Sequence, residues 1–355
     1  MSVAPEADGT ITSESPEAAA PEAAAPKPAA AKPAAAKPAA RKSAARKAAA
    51  PKAAAESDAA TPETTPAAPA PAAAPAVPAA KQPIRAIDGG PVLAHVDGIS
   101  LMAGAANVIM QLSWPAVGYG VMESKVESGR LLDHPIKRSR TTLQFLAVAS
   151  MGTDEEKRLF RRGVNRAHAQ VRSTDESPVE YNAFDPELQL WVAACIYRGF
   201  EDTHRLLRGA YTPAQREYYY QKGAVFGTTL QVKEEMWPAT RDAFEEYWAE
   251  SLKKVHIDDA TREHLDYIAR AKFAHPLTAR LIGRTNLFIT KGFLPQEFRD
   301  QMRYSWTAKD QKRFDRMMKV IATVNRRMPT VLREFPYNYL MADLRWRLRT
   351  GRSPV

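Results

Sequence analysis

Cysteine is almost missing from this chain: Cys195 is the only one in 355 residues. A single thiol excludes an internal disulfide framework and a thiolate zinc cluster. Within Trp191-Val-Ala-Ala-Cys195 it reads as a small core hydrophobe. Also missing are a Gly-rich phosphate loop, a dinucleotide-binding fingerprint, a nucleophile elbow and a His-Glu-x-x-His site. If the chain is an enzyme, its chemistry therefore belongs to a bound cofactor. The N-terminus, Met1-Ser-Val-Ala-Pro-Glu-Ala-Asp8, lacks the basic-then-apolar order of a secretory signal. No lipidation signal is visible either. A cytoplasmic protein is the expectation, with a peripheral membrane role left open. Period-2 alternation is hardly present, while helix-start signals recur every 20 to 30 residues or so. The expected fold is all-α.

The first stretch lacks large apolar side chains. From Met1 to Ala80 the chain is mostly Ala, Pro, Lys, Glu and Thr, with Val3, Ile11 and Val77 its large aliphatics. Such a segment cannot bury enough surface to offset chain entropy, so residues 1–82 are expected to be a disordered tail. The remainder, 83–350, is long enough to bury a core as one large helical domain. The net charge is +10, and over residues 1–80 eight cations cancel eight anions. The folded part carries the excess. Lys27 to Lys52 is nevertheless a purely basic block that could touch nucleic acid or an anionic membrane. It holds no aromatics to stack on bases, which makes a nucleic-acid role the weaker expectation.

Ile99 to Met122 carries no charge. Asn107, Gln111, Ser113 and Pro115 interrupt it, so a buried helix to about Trp114, a break and a second helix fit better than a membrane span. Glu123 closes this run. Pro135 suits a helix start, and Arg138 and Thr142, four apart, share one face of that helix. A cation beside a hydroxyl can hold an anion such as a carboxylate; an ordinary surface arginine is the plainer reading. Asp185-Pro186-Glu187 is a strong helix start for a segment running to about Leu207. Glu201 and His204 make one Glu-x-x-His pair, where a di-iron centre needs two with further glutamates. Further helices are expected from Thr212-Pro213, over Thr240 to Lys254, from Pro276 through Leu281, from Pro295 to near Tyr304, over Lys309 to Arg326, and over Tyr339 to Arg349.

The segment Thr153 to Val171 reads as one helix. Thr153 is the N-cap, and Glu156, three residues on, completes a capping box. Phe160, Val164, Ala167, His168 and Val171 recur along one side, while Lys157, Arg158, Arg161, Arg162 and Arg166 cover the other. His168 therefore sits in an apolar stripe. It is either a satisfied core residue or a ligand held in a dry pocket.

Taken in order, these residues resemble a known family. An apolar helix broken by Pro115 leads to Gly118-Tyr-Gly-Val-Met-Glu123. Arg138-x-x-x-Thr142, Val164-x-x-x-His168-x-x-Val171 and Ala183-x-Asp185-Pro186-x-Leu188-x-x-Trp191-Val192 follow, then Tyr211-Thr-Pro213-x-x-Arg216-Glu-Tyr218 and Leu294-Pro295-x-x-Phe298-Arg. The set is similar to the rubber oxygenases (latex-clearing proteins) and the MpaB oxygenase over about residues 88–340. That resemblance implies a globin-like helical domain holding a non-covalent haem b, with oxidation of an apolar, isoprenoid or lipid-like substrate by O2. It implies His168 as the iron ligand, and Arg138 with Arg172 as cofactor-binding residues. Thr142 falls near the haem, and Glu123 is the candidate base. The apolar first helices would line a substrate channel. The chain departs from the pattern at Thr141, where the rubber enzymes place a lysine, and at Ser113-Trp114-Pro115, where a His-Pro pair is common. Rubber itself is therefore not the expected substrate. The rival readings are a haem- or lipid-binding helical protein without turnover, and a nucleic-acid-associated protein acting through its tail. The sequence does not fix the oligomeric state.

Overall fold

The computed structural model describes residues 96–124, 126 and 135–354, with backbone alone at 135–137. The expected tail lies outside them. All described elements belong to one compact unit. Among the described residues the secondary structure is helical, with no β-strand and one isolated bridge between Arg172 and Asn182. The all-α expectation holds.

The apolar run breaks where proline dictates. A 3-10 turn, Gly98–Ala103, leads into α1 (Gly104–Leu112), and Pro115 starts α2 (Pro115–Met122). No described helix is long and apolar enough to cross a membrane. Helices α3 (Pro135–Met151) and α4 (Asp154–His168) are joined by Gly152 and Thr153 alone. Thr153 caps α4 as the sequence demands: its hydroxyl accepts from the Glu156 N–H, and the Glu156 carboxylate accepts from the Thr153 N–H at 2.8 Å. The helix ends at His168 rather than at Val171. Residues 171–173 instead pair with 181–183, where Ala183 N–H donates to Val171 O at 3.0 Å and Ser173 N–H to Tyr181 O at 2.8 Å. Asp185 caps α5 (Pro186–Arg208), the long central helix.

The C-terminal half adds α6 (Pro213–Gly223), α7 (Val225–Thr228), α8 (Arg241–Leu252), α9 (Asp259–Ala269) and α10 (Pro276–Phe293). It closes with α11 (Gln296–Gln301), α12 (Ala308–Arg327), α13 (Thr330–Arg333) and α14 (Tyr337–Arg349). Helix α10 continues a dozen residues past the expected Leu281, because nothing breaks it before Pro295.

Two hydrophobic clusters hold these helices. The larger centres on α5, where Trp191 is sandwiched between Trp114 at 4.9 Å and Trp248 at 5.1 Å between ring centroids. Both flanking interactions keep their polar handles paired: the Trp191 indole N–H donates to Gln111 O and that of Trp114 to Ser251 O. The smaller cluster packs Val148 of α3 and Phe160 of α4 against Tyr337, Leu340, Met341 and Leu344 of α14. It fixes the α3–α4 pair from behind, with Phe145 and Phe160 rings 6.4 Å apart.

Candidate functional site

Helices α3 and α4 pack on each other across a two-residue connection. The first turn of α3 is close enough to the last turn of α4 for a charge on one to act on a ring of the other. Arg138 and His168 occupy those two turns. The charge of Arg138 acts directly on the His168 ring. Burial first, and then that neighbouring cation, push the imidazole down to about 4. At neutral pH the ring is therefore uncharged, the form in which histidine binds metals. Its Nδ1 is buried and has no hydrogen-bond partner among the described residues. The Phe184 ring covers it edge-on at 6.2 Å.

Arg138 is unusual in another way. Burial alone lowers its guanidinium below its ordinary value. It remains charged, because arginine does not deprotonate in proteins. No carboxylate among the described residues pairs with it. A desolvated cation with no counter-ion costs several kcal/mol, on the order of what breaking a buried ion pair costs. The arrangement is suited to an anion that none of the described residues supplies.

The other expected residues stand as follows. Thr142, one turn after Arg138, is exposed and donates its hydroxyl to the Arg138 carbonyl at 3.2 Å. Glu123, at the end of α2, accepts at Oε2 from Ser177 Oγ (2.6 Å) and from the Tyr181 hydroxyl (2.7 Å). It thus ties the loop after α4 to the first helices. Burial, together with the Glu123 hydrogen bond, raises Tyr181 above the usual phenol value, so the phenol keeps its proton. Arg172 is exposed and donates to the carbonyl of Ala169 at 3.0 Å. The structure brings Arg138 and His168 together and leaves Arg172 turned to solvent. Ile109, Met110 and Leu112 of α1 are spent on the main core.

One residue of this region escaped the sequence reading. Arg161 was grouped with the solvated basic face of α4. It is only partly exposed, and its Nε is buried without a partner among the described residues. It lies seven residues before His168, two turns back along the same side of the helix. That spacing was the available signal. His264 on α9 is a second half-buried histidine with an unpaired nitrogen, and burial lowers it too. No cation acts on it, which separates it from His168.

The Glu201–His204 pair is not a metal site. Both Glu201 oxygens are taken by the Arg241 fork at 3.0 and 2.6 Å, and Tyr197 adds its hydroxyl at 3.0 Å. Burial pushes the Glu201 carboxyl up, but Arg241 and Arg198 outweigh this and hold it below its ordinary value. His204 stacks on Tyr211 at 3.8 Å. Among the described residues no group of three or more His, Cys, Asp or Glu side chains could hold a bare metal ion.

Residues 93–323 match the family described as ER-bound oxygenase mpaB/B'/rubber oxygenase, catalytic domain. The chain belongs to this oxygenase family. Uncharacterized proteins of Mycobacterium bovis and of Mycobacterium tuberculosis are each 50% identical to it over 252 residues, covering 71% of this chain and 98% of the relative. No solved structure matches. Both Arg138 and His168 fall inside the MpaB/rubber-oxygenase match, as do Glu123, Thr142, Arg161 and Arg172.

Proposed function

We propose that this member of the MpaB/rubber-oxygenase family is a haem-b-dependent oxygenase that uses O2 on a small apolar substrate of isoprenoid or lipid-like character. The observation that carries this is the pairing of a neutral imidazole, whose Nδ1 is unpartnered, with a largely buried arginine, neither group having a counter-ion among the described residues. Haem b needs both: one neutral imidazole on a rigid helix for the iron, and cations for its propionates. A single histidine suffices for an iron held in a macrocycle, so the lack of a multi-ligand cluster among the described residues is no obstacle.

His168 is the proposed iron ligand, held by the last turn of α4 and covered by Phe184. Arg138 is the proposed propionate partner, and Arg161 a second one from the same wall. Bound haem supplies the activation of O2. The chain's own part is to hold, orient and exclude water. The smaller core cluster keeps α3 and α4 rigid behind the site. Glu123 Oε2, held by two hydroxyl donors, is the candidate station for a proton leaving the substrate. Thr142, one turn from Arg138, marks the solvent side.

The test is absorbance after haemin is added and the excess removed. Wild type should show a sharp Soret band, lost in His168→Ala and kept in His264→Ala. Retention of the band in His168→Ala would overturn the assignment. A loaded protein that consumes no O2 over any of a panel of isoprenoid alcohols and fatty acids would leave a haem-binding protein without turnover.

A further inference from the structure

The outer face of α12 is a basic stripe without a counterpart. Lys309, Lys312, Arg316, Lys319, Arg326 and Arg327 are all exposed. None has an ion-pair partner among the described residues. The two acids of this helix lie to the sides and are committed elsewhere. Asp310 accepts from the Thr307 hydroxyl and N–H as part of the helix cap, and Asp315 accepts from Gln311 at 2.8 Å. Two exposed valines interrupt the cations: Arg316, Val320, Val324 and Arg327 follow one another along a single line of the helix.

The stripe runs directly into an apolar one. After Pro329, Val331, Leu332, Phe335 and Tyr339 are 71%, 62%, 59% and 62% exposed. They form one patch rather than four scattered residues. Asn338 Nδ2 donates to Val331 O at 2.8 Å, tying α13 to the start of α14, and the Phe335 and Tyr339 rings are 6.4 Å apart. Large apolar side chains adjoining a one-sign charged face are uncommon on a surface that meets only water.

We infer that the outer face of α12, with the α13 turn and Tyr339, docks this protein on an anionic lipid surface. The cations complement the headgroups of acidic phospholipids. The aliphatics and Phe335 enter the acyl boundary, with Tyr339 at the headgroup level. A nucleic acid would use the cations equally well, but it offers nothing to Val320, Val324, Val331 and Leu332. That difference selects lipid over a polyanion. The inference rests on exposed residues remote in sequence from His168 and stands whether or not the chain binds haem.

The test is co-sedimentation of the full chain with phosphatidylcholine vesicles, with and without phosphatidylserine, beside binding to a DNA duplex. Wild type should favour the serine-containing vesicles. The triple variant Arg316→Glu, Lys319→Glu, Arg327→Glu should lose on the order of a hundredfold, at a factor of about five or more per cation. The double variant Leu332→Ser, Phe335→Ser should lose at least about tenfold on vesicles and nothing on DNA. All five positions are exposed, so circular dichroism should report unchanged helicity and melting. No preference for the acidic vesicles, or vesicle binding untouched by either variant, would overturn the inference; the second result would point to the basic block of the tail. A charge-dependent affinity for DNA with vesicle binding indifferent to Leu332 and Phe335 would replace lipid with a polyanion.

Discussion

His168 makes the stability of the cofactor-free protein depend on pH in a calculable way. The folded imidazole titrates at about 4, against about 6.5 in the unfolded chain. Between those values the unfolded chain binds more protons than the folded one, so stability is full above the unfolded value and is lost as pH falls toward the folded one. The full loss is about 3 kcal/mol, and about 2 kcal/mol of it should appear between pH 7 and pH 5. Other groups contribute over the same range, His264 among them, so the comparison must be differential. Urea unfolding of the haem-free wild type and of His168→Leu, at pH 7, 6 and 5, isolates the His168 share. Wild type should lose about 2 kcal/mol more than the variant across that range. Parallel curves would refute the reasoning, since they would mean that His168 reaches water when protonated. The same displacement bears on haem: a ring that resists protonation down to pH 4 stays available as a ligand throughout the mildly acidic range. The Soret band should therefore persist at pH 5.

Other outcomes follow from named contacts. Arg138→Leu should weaken haem retention by about tenfold or more through loss of a charge-assisted partner, while raising apo stability in urea by relieving an uncompensated cation; lowered apo stability would show that the guanidinium has a partner. Arg241→Leu should cost about 1–3 kcal/mol, because it removes the two-pronged partner of Glu201 and leaves that carboxylate to Arg198 and the Tyr197 hydroxyl, and no shift would show that these two suffice. Glu123→Leu removes the acceptor of the Ser177 and Tyr181 hydroxyls and should cost about 1–3 kcal/mol by thermal melting. Gly199→Ala places a methyl group against the Asn107 amide, which is itself bonded to Cys195 O, and should cost about 1–3 kcal/mol by the same assay.

How much of this could be seen in the sequence depends on how local the cause is. Helix starts are local, and Thr153 with Glu156, Thr212 with Gln215 and Asp185 with Pro186 all cap where expected. Helix ends are less so. The end of α4 is set by pairing with residues 181–183, which no window around His168 contains. Helix α9 went unread despite its Asp258 cap, whose carboxylate accepts from Thr261 N–H at 2.7 Å; it lacked a proline to announce it. Which face of a helix is wet is not local at all. Arg161 carries the same charge as Arg158 and Arg162, yet its Nε is buried while those two are exposed. The family pattern pointed to His168 and Arg138, and the structure adds what a pattern cannot: that the two are neighbours, and that among the described residues His168 Nδ1 has no hydrogen-bond partner and Arg138 no carboxylate. Arg172 shows the converse, since its proximity in sequence to His168 ends with the helix between them.

The two-residue link between α3 and α4 has a kinetic meaning. Arg138 and His168 sit on two helices joined by two residues, so most of the chain between them is stiffened by helix and little entropy is lost in bringing them together. The brace behind them is not local: Arg345 reaches back 189 residues to Glu156, and Gln144 meets Leu340 O 196 residues on. The walls proposed for the cofactor are therefore joined early and fixed late, when α14 docks against α3 and α4.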